Sequence, residues 1–221
     1  IIHGILGYKF FIFWIFKQGD VIIKRRISEC KEKGIEILPP DVNESYKDFT
    51  VPEHKIRFGL AAIKNVGLSA IESIIEAREK DGKFVSLFDF CNKVDLRKVN
   101  KKVIESLIKC GAFDSFKLKR SQLMAVFEEV VSAVQRIQKE KEKNQMSMFE
   151  AIAETTGTNE NEQVNYPDIS EWDQKECLAY EKECLGFYIT GHPLDNYKQA
   201  LKAFTNVDTA SALAAESERE V

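Results

Sequence analysis

A mainly α-helical protein is what this 221-residue sequence predicts. Three observations carry that reading. Apolar residues recur at helical spacing in Ile71, Ile74 and Ile75, in Val103, Ile104 and Leu107, and in Leu123, Phe127, Val130, Val131, Val134 and Ile137. Helix-ending or helix-starting residues punctuate these runs at Gly34, Asp81-Gly82, Asn100, Gly111 and Gly186. The composition, 44% apolar and 30% charged, suits one compact core or two small ones.

The opening run IIHGILGYKFFIFWIF is strongly apolar. It is shorter than the roughly 20 residues a membrane-spanning helix needs, and Lys9 interrupts it. It has neither the basic start nor the small-residue cleavage site of a signal peptide. Two readings stay open: a buried strand or helix whose partners lie elsewhere, or a segment foreign to the native protein. Ile1 in place of a start methionine points to a fragment or a processed piece. Residues 21–34 read as a short helix ending at Gly34. The strand-like run Ile35–Leu38 follows, and Pro39-Pro40 then forces an extended connector, near which a domain boundary is expected.

Residues 58–64 form the first helix of a hairpin, and Lys64-Asn65-Val66-Gly67 forms its turn. The second helix is expected to start at Ser69, with Ser69 and Glu72 as a reciprocal capping box. A short helix begins at Ser86–Phe90. Asn100 caps Lys101–Lys109, and Gly111 closes that helix in a left-handed conformation, so Gly111-Ala112-Phe113-Asp114 is a second candidate hairpin turn. A long helix runs from Ser121 to about Lys143, with a wholly polar end. Residues 151–165 lack any apolar period and read as a disordered linker. Order returns at Tyr166-Pro167. A helix over Gln174–Leu185 ends at Gly186, GFYITGHPL forms a short strand-like piece and a turn, and another helix starts near Leu194. No long repeat and no transmembrane segment is visible.

The hairpin turn is the main candidate site. A helix leaves its first N–H groups without intrahelical partners, and its dipole makes that end positive. The amides of Val66, Gly67 and Leu68 are therefore suited to a phosphate oxygen, with Lys64 as a nearby point charge. Such a contact reads no base, so it fits a nucleic-acid backbone rather than a sequence. Hairpins of this type usually carry Gly at position 65; Asn65 is among the few other residues that tolerate positive φ. The plain alternative is an ordinary helical corner in a core.

Charge supports an anionic partner for the middle of the chain. Residues 93–120 hold nine Lys/Arg against three Asp/Glu, a balance of +6, whereas residues 151–221 hold five against fourteen, a balance of −9. Arg97, Lys98, Lys101 and Lys102 are candidate phosphate contacts with strong salt dependence, or else a solvated helix face. Gln145, Met148 and Phe149 follow a polar helix tail and suit insertion into a pocket on a partner; alternatively Met148 and Phe149 fold back on the long helix.

Several functions find no residues to carry them. No paired carboxylates of DxD type, no Walker loop and no GxGxxG occur. The histidines, His3, His54 and His192, are isolated, so no catalytic or metal-binding residue is proposed. The cysteines, Cys30, Cys91, Cys110, Cys177 and Cys184, include no CxxC pair and read as free thiols of a reducing cytosol.

Four blocks, GIEILPPDVNES, IRFGLAAIKNVG, SLFDFCNKVDLRKVNKKVIESLIKCGAFDSF and ECLGFYITGHPLDNY, resemble in order and spacing the replicative C-family polymerases of bacteria, the DNA polymerase III alpha subunits. The resemblance runs from about Arg26 to Tyr197; residues 1–25 do not share it. It implies that residues 1–48 include the end of a fingers domain, that 49–143 form a tandem helix-hairpin-helix domain on duplex DNA, and that 144–165 hold a clamp-binding motif and linker. Gln145, Met148 and Phe149 match that motif's glutamine and two hydrophobic anchors. Residues 166–221 would be a helical lead-in to an OB domain. The parent reaction is template-directed addition of deoxynucleotides with Mg2+. The family's metal-binding palm aspartates are absent here, so this chain alone should not polymerise DNA. The implied partners are duplex DNA held non-specifically, the sliding clamp and other replicase subunits, in the bacterial cytoplasm and away from membranes. The rival readings are a stand-alone helix-hairpin-helix scaffold that binds protein, and a DNA repair module.

Overall fold

The computed structural model describes residue 30 and residues 34–144 and 164–197. Two short strands, β1 (Ile37–Leu38) and β2 (Ile56–Arg57), pair in parallel with Ile37 opposite Ile56 and Leu38 opposite Arg57. Five helices follow among the described residues: α1 (Leu68–Asp81), α2 (Leu87–Lys93), α3 (Lys101–Lys109), α4 (Arg120–Asn144) and α5 (Gln174–Leu185). Three-residue 3-10 turns lie at Leu60–Ala62, Asp114–Phe116 and Asp195–Tyr197.

The helix boundaries follow local chemistry. Ser86 Oγ accepts from the Asp89 amide at 3.1 Å, Asn100 Oδ1 from Val103 at 3.1 Å and Asp173 Oδ1 from Glu176 at 2.7 Å, so each side chain satisfies an amide that the helix leaves open. Gly111, at φ +79, ends α3 in a Schellman arrangement in which the amides of Gly111 and Ala112 donate to Ile108 and Leu107. Gly186, at φ +82, ends α5. Residues 58–64 are less regular than expected, with only Leu60–Ala62 coiled.

One apolar core joins these elements. Phe58, Phe90, Phe113, Ile71, Ile74, Ile104 and Leu107 are fully buried in it. Phe90 packs edge-on against both Phe84 and Phe113, with ring centroids 4.9 Å apart in each pair. The loop after the two prolines is tied into the same body. Val42 donates to the Ala112 carbonyl (2.9 Å), Ser45 Oγ donates to the Phe58 carbonyl (2.6 Å), and Asn43 exchanges two bonds with the backbone of Phe84 (2.9 and 2.8 Å).

Residues 164–197 correct the expected fold class. Among the described residues the sheet is an open two-stranded pair and not a closed barrel, within a mainly helical fold with helix-hairpin-helix elements. Cys184 and Leu185 enter the common core, and Tyr166, Trp172, Phe187 and Ile189 pack against it. Glu171 caps the start of α4 from a distance, accepting from the amides of Arg120 (2.7 Å) and Ser121 (3.0 Å). Burial pushes the Glu171 carboxyl up, but the amides of Ser121, Trp172 and Arg120 outweigh it and hold it below the ordinary value. GFYITGHPL is not a strand either. Its amides at Ile189 and Thr190 donate to the carboxylate of Glu181 (3.0 and 3.2 Å), which is buried with Arg120, itself paired to Asp114 at 2.7 Å.

Candidate nucleic-acid interface

The first hairpin turn is anchored from three sides. The Lys64 amide donates to the Cys184 carbonyl of α5 at 2.9 Å, and Asn65 Nδ2 donates to Ser106 Oγ of α3 at 3.1 Å. The Val66 side chain is buried, while its amide donates to Ile63 at 3.3 Å. Asn65 takes the left-handed conformation that its residue type allows, at φ +67.

Helix α1 then starts two residues earlier than the capping box required. Its N-cap is Gly67 and no side chain caps it, so Ser69 lies inside the first turn and the Ser69–Glu72 box does not form. The physical reason is the Val66 anchor: the core holds Val66 where Gly67 must leave the turn, and the helix begins at once. Of the amides expected to be open, that of Val66 is engaged, whereas Gly67, Leu68 and Ser69 are exposed positions at an uncapped helix start. A Cβ built on Gly67 meets nothing within 4 Å, and its φ of −77 and ψ of 161 suit any residue. The fold itself does not require glycine there. A backbone that must come close to a ligand does.

Gly111 closes α3 in the left-handed conformation expected of it, but it does not lie in a hairpin turn. Its amide is spent on the Schellman bond to Ile108 at 3.0 Å, and a side chain there would collide with the Arg120 guanidinium. That turn closes α3, and the amides of Gly111, Ala112 and Asp114 are engaged within it. The second hairpin is instead α2, the turn at residues 94–100, and α3. It repeats the first at a spacing of 33 residues, from Gly67 to Asn100. Burial alternates alike in the two copies: Ile63, Val66, Ala70, Ile71, Ser73 and Ile74 are buried in one, and Leu96, Val99, Val103, Ile104, Ser106 and Leu107 in the other. Lys64 and Asn65 thus correspond to Arg97 and Lys98. The sequence hides this repeat because the second turn, Asp95-Leu96-Arg97-Lys98, contains no glycine; only the spacing of Val66 and Val99 signalled it.

Electrostatics single out the same two helix starts. A helix N-terminus ordinarily gathers acidic groups. Helix α2 has Asp89 and α5 has Glu176 in the first turn, and α4 borrows Glu171. Helices α1 and α3 have no acidic residue in the first turn. At α3 the exposed cations are partly engaged: Arg97 with Asp95 (3.1 Å), Lys101 with Glu128 (2.8 Å) and Lys102 with Glu105 (3.1 Å), pairs too exposed to hold strongly against a polyanion. Lys98 is exposed at the tip. Arg97 holds the Asp95 carboxyl below its usual range, first through its side-chain hydrogen bond.

Gln145, Met148 and Phe149 lie outside the described residues. Among the described residues no group of three or more His, Cys, Asp or Glu could hold a metal ion, and no helix is long and apolar enough to cross a membrane. The five cysteines are free thiols; burial pushes Cys91 up to about 12 and Cys184 up to about 11.

Comparison with known proteins places these hairpins in context. A helix-hairpin-helix motif family matches residues 34–123. The chain is 38% identical over 192 residues to the DNA polymerase III subunit alpha of Borreliella burgdorferi, covering 87% of this chain and 17% of that one. It is 41% identical over 181 residues to the protein of the same name from Vibrio cholerae (81% and 15%), and 42% identical over 184 residues to that of Mycobacterium leprae (83% and 15%). The chain therefore spans about a sixth of the length of these relatives. Over that stretch it is homologous to the bacterial DNA polymerase III alpha subunit, with a helix-hairpin-helix motif inside the matching region.

Proposed function

We propose that this chain is a non-catalytic, DNA-gripping piece of a replicative polymerase alpha subunit. The observation that carries the reading is the start of α1, where a glycine that no protein contact requires sits at an uncapped, unneutralised helix end. The amides of Gly67 and Leu68 bind one phosphate, with Lys64 beside them and the Asn65 turn holding them in place. Arg97, Lys98, Lys101 and Lys102 add charge at the second helix start. Neither site reads a base, so binding is indifferent to sequence and weakens with salt. Residues 49–143 would form the DNA-binding unit, with residues up to 48 leading in from the fingers.

The same homology supports a tether to the sliding clamp through Gln145, Met148 and Phe149, in the bacterial cytoplasm and alongside other replicase subunits. Polymerisation with Mg2+ belongs to the whole protein.

A titration of the chain with labelled duplex DNA at two salt concentrations tests the DNA reading. Binding that is tight at low salt, equal for unrelated sequences and weaker at high salt is the expected outcome. Failure to retard any duplex at low ionic strength would refute it.

A further inference from the structure

Each hairpin's second helix carries one buried serine, and each serine holds the other hairpin's turn. Ser73 lies six residues beyond the N-cap of α1, and Ser106 six residues beyond the N-cap of α3. They are 5% and 2% exposed. Ser73 Oγ accepts from the backbone amide of Asp95, in the second turn, at 2.9 Å. Ser106 Oγ accepts from Asn65 Nδ2, in the first turn, at 3.1 Å. The bonds run both ways between the hairpins: the 33-residue repeat exchanges the two serines, while their donors differ, a backbone amide at Asp95 and a side-chain amide at Asn65.

A helix interior gains nothing from serine, since alanine is the better helix former and leaves no hydroxyl to bury. The choice of Asn65 points the same way. Glycine would take φ +67 without strain, but only asparagine brings a donor to Ser106.

We propose that Ser73 and Ser106 are positioning residues, a paired latch that sets the distance and angle between the two hairpin turns so that both meet phosphates of one duplex. This rests on the DNA reading above. Two contacts held rigidly apart bind far more tightly than two that must find their places separately, because the second contact is then made at high effective concentration.

The test uses the full chain with Ser73→Ala/Ser106→Ala, compared with Asn65→Gly, Ser106→Ala and Asn65→Gly/Ser106→Ala. Asn65→Gly keeps the turn's backbone and removes only the donor. The duplex affinity of the double-serine variant should fall about tenfold. Its slope of log K against log salt should become shallower, as fewer phosphates are engaged together. Asn65→Gly and Ser106→Ala should each weaken binding, and their combination should be no worse than either alone, because both cut one bond. Circular dichroism and the thermal midpoint certify that each variant is folded. An unchanged affinity and salt slope in folded Ser73→Ala/Ser106→Ala overturns the latch while leaving the DNA reading standing, provided Gly67→Asp still weakens binding. If Gly67→Asp also binds like the parent, the DNA reading itself falls. Additive losses in Asn65→Gly/Ser106→Ala would mean that Asn65 touches DNA directly, and would overturn its part in the latch.

Discussion

Replacing Gly67 with aspartate should make the protein more stable and its grip on DNA weaker. Gly67 is the N-cap of a 14-residue helix, at dihedrals open to any residue and with free space around its Cα. An aspartate there would accept a hydrogen bond from the amide of Ser69 or Ala70. Relative to glycine this contributes a few tenths of a kcal/mol. Its charge at the helix start adds about 0.3–1 kcal/mol, and loss of glycine's freedom in the unfolded chain adds about 0.4–1 kcal/mol. A net gain of about 1 kcal/mol would raise the melting temperature by about 2–4 °C for a chain of this size. The same carboxylate occupies the amides that the phosphate needs. Losing one amide–phosphate bond costs about 1.5–3 kcal/mol, and repulsion between carboxylate and phosphate about 5 Å apart in water adds roughly 0.8 kcal/mol. Duplex affinity should therefore fall by about 2–4 kcal/mol, roughly 30- to 700-fold. Fluorescence anisotropy with a labelled duplex, beside calorimetric melting, measures both quantities on one preparation. A variant that melts higher yet binds DNA within twofold of the parent would refute the assignment of these amides to phosphate.

Asp95→Asn keeps an oxygen for the Arg97 amide but removes the charge that neutralises its guanidinium; duplex binding should tighten about two- to fivefold at low salt, read by the same anisotropy titration. Glu171→Gln should cost about 0.3–1 kcal/mol at neutral pH, because the charge at the start of α4 is lost. The folded pKa of Glu171 lies below its ordinary 4.5, so its contribution is present above that value and is lost as pH falls through the folded pKa; urea melts from pH 7 to 3 should show the two proteins converge at acid pH. Gly111→Ala should destabilise by about 2–4 kcal/mol, combining a left-handed alanine with displacement of Arg120 from Asp114, and chemical denaturation measures it.

Local chemistry was legible in the sequence wherever it decided the outcome alone. The caps at Asn100 and Gly186, the extent of α4 and the positive φ of Asn65 depend on a few neighbouring residues, and they stand where the pattern placed them. The start of α1 was misread because Gly67 and Ser69 are both plausible caps, and the choice fell to the Val66 anchor in the core. The packing of residues 164–197 onto the helical core is not legible, because their acidic, weakly periodic sequence gives no sign that Glu171 and Glu181 find their donors in α4 and in the backbone of the 189–190 loop.

The sequence alone determined a helical protein, its family likeness and the left-handed Asn65 turn ahead of α1. Those follow from side-chain periodicity, capping chemistry and motif order, all of short range along the chain. Only the tertiary structure decided that the second hairpin turn lies at residues 94–100 rather than at Gly111, that Ser73 and Ser106 each reach the opposite turn, and that α5 supports Lys64. These are bonds between residues from 22 to 120 positions apart in the chain. No local preference encodes them; they arise when the buried faces of the two hairpins close on one core.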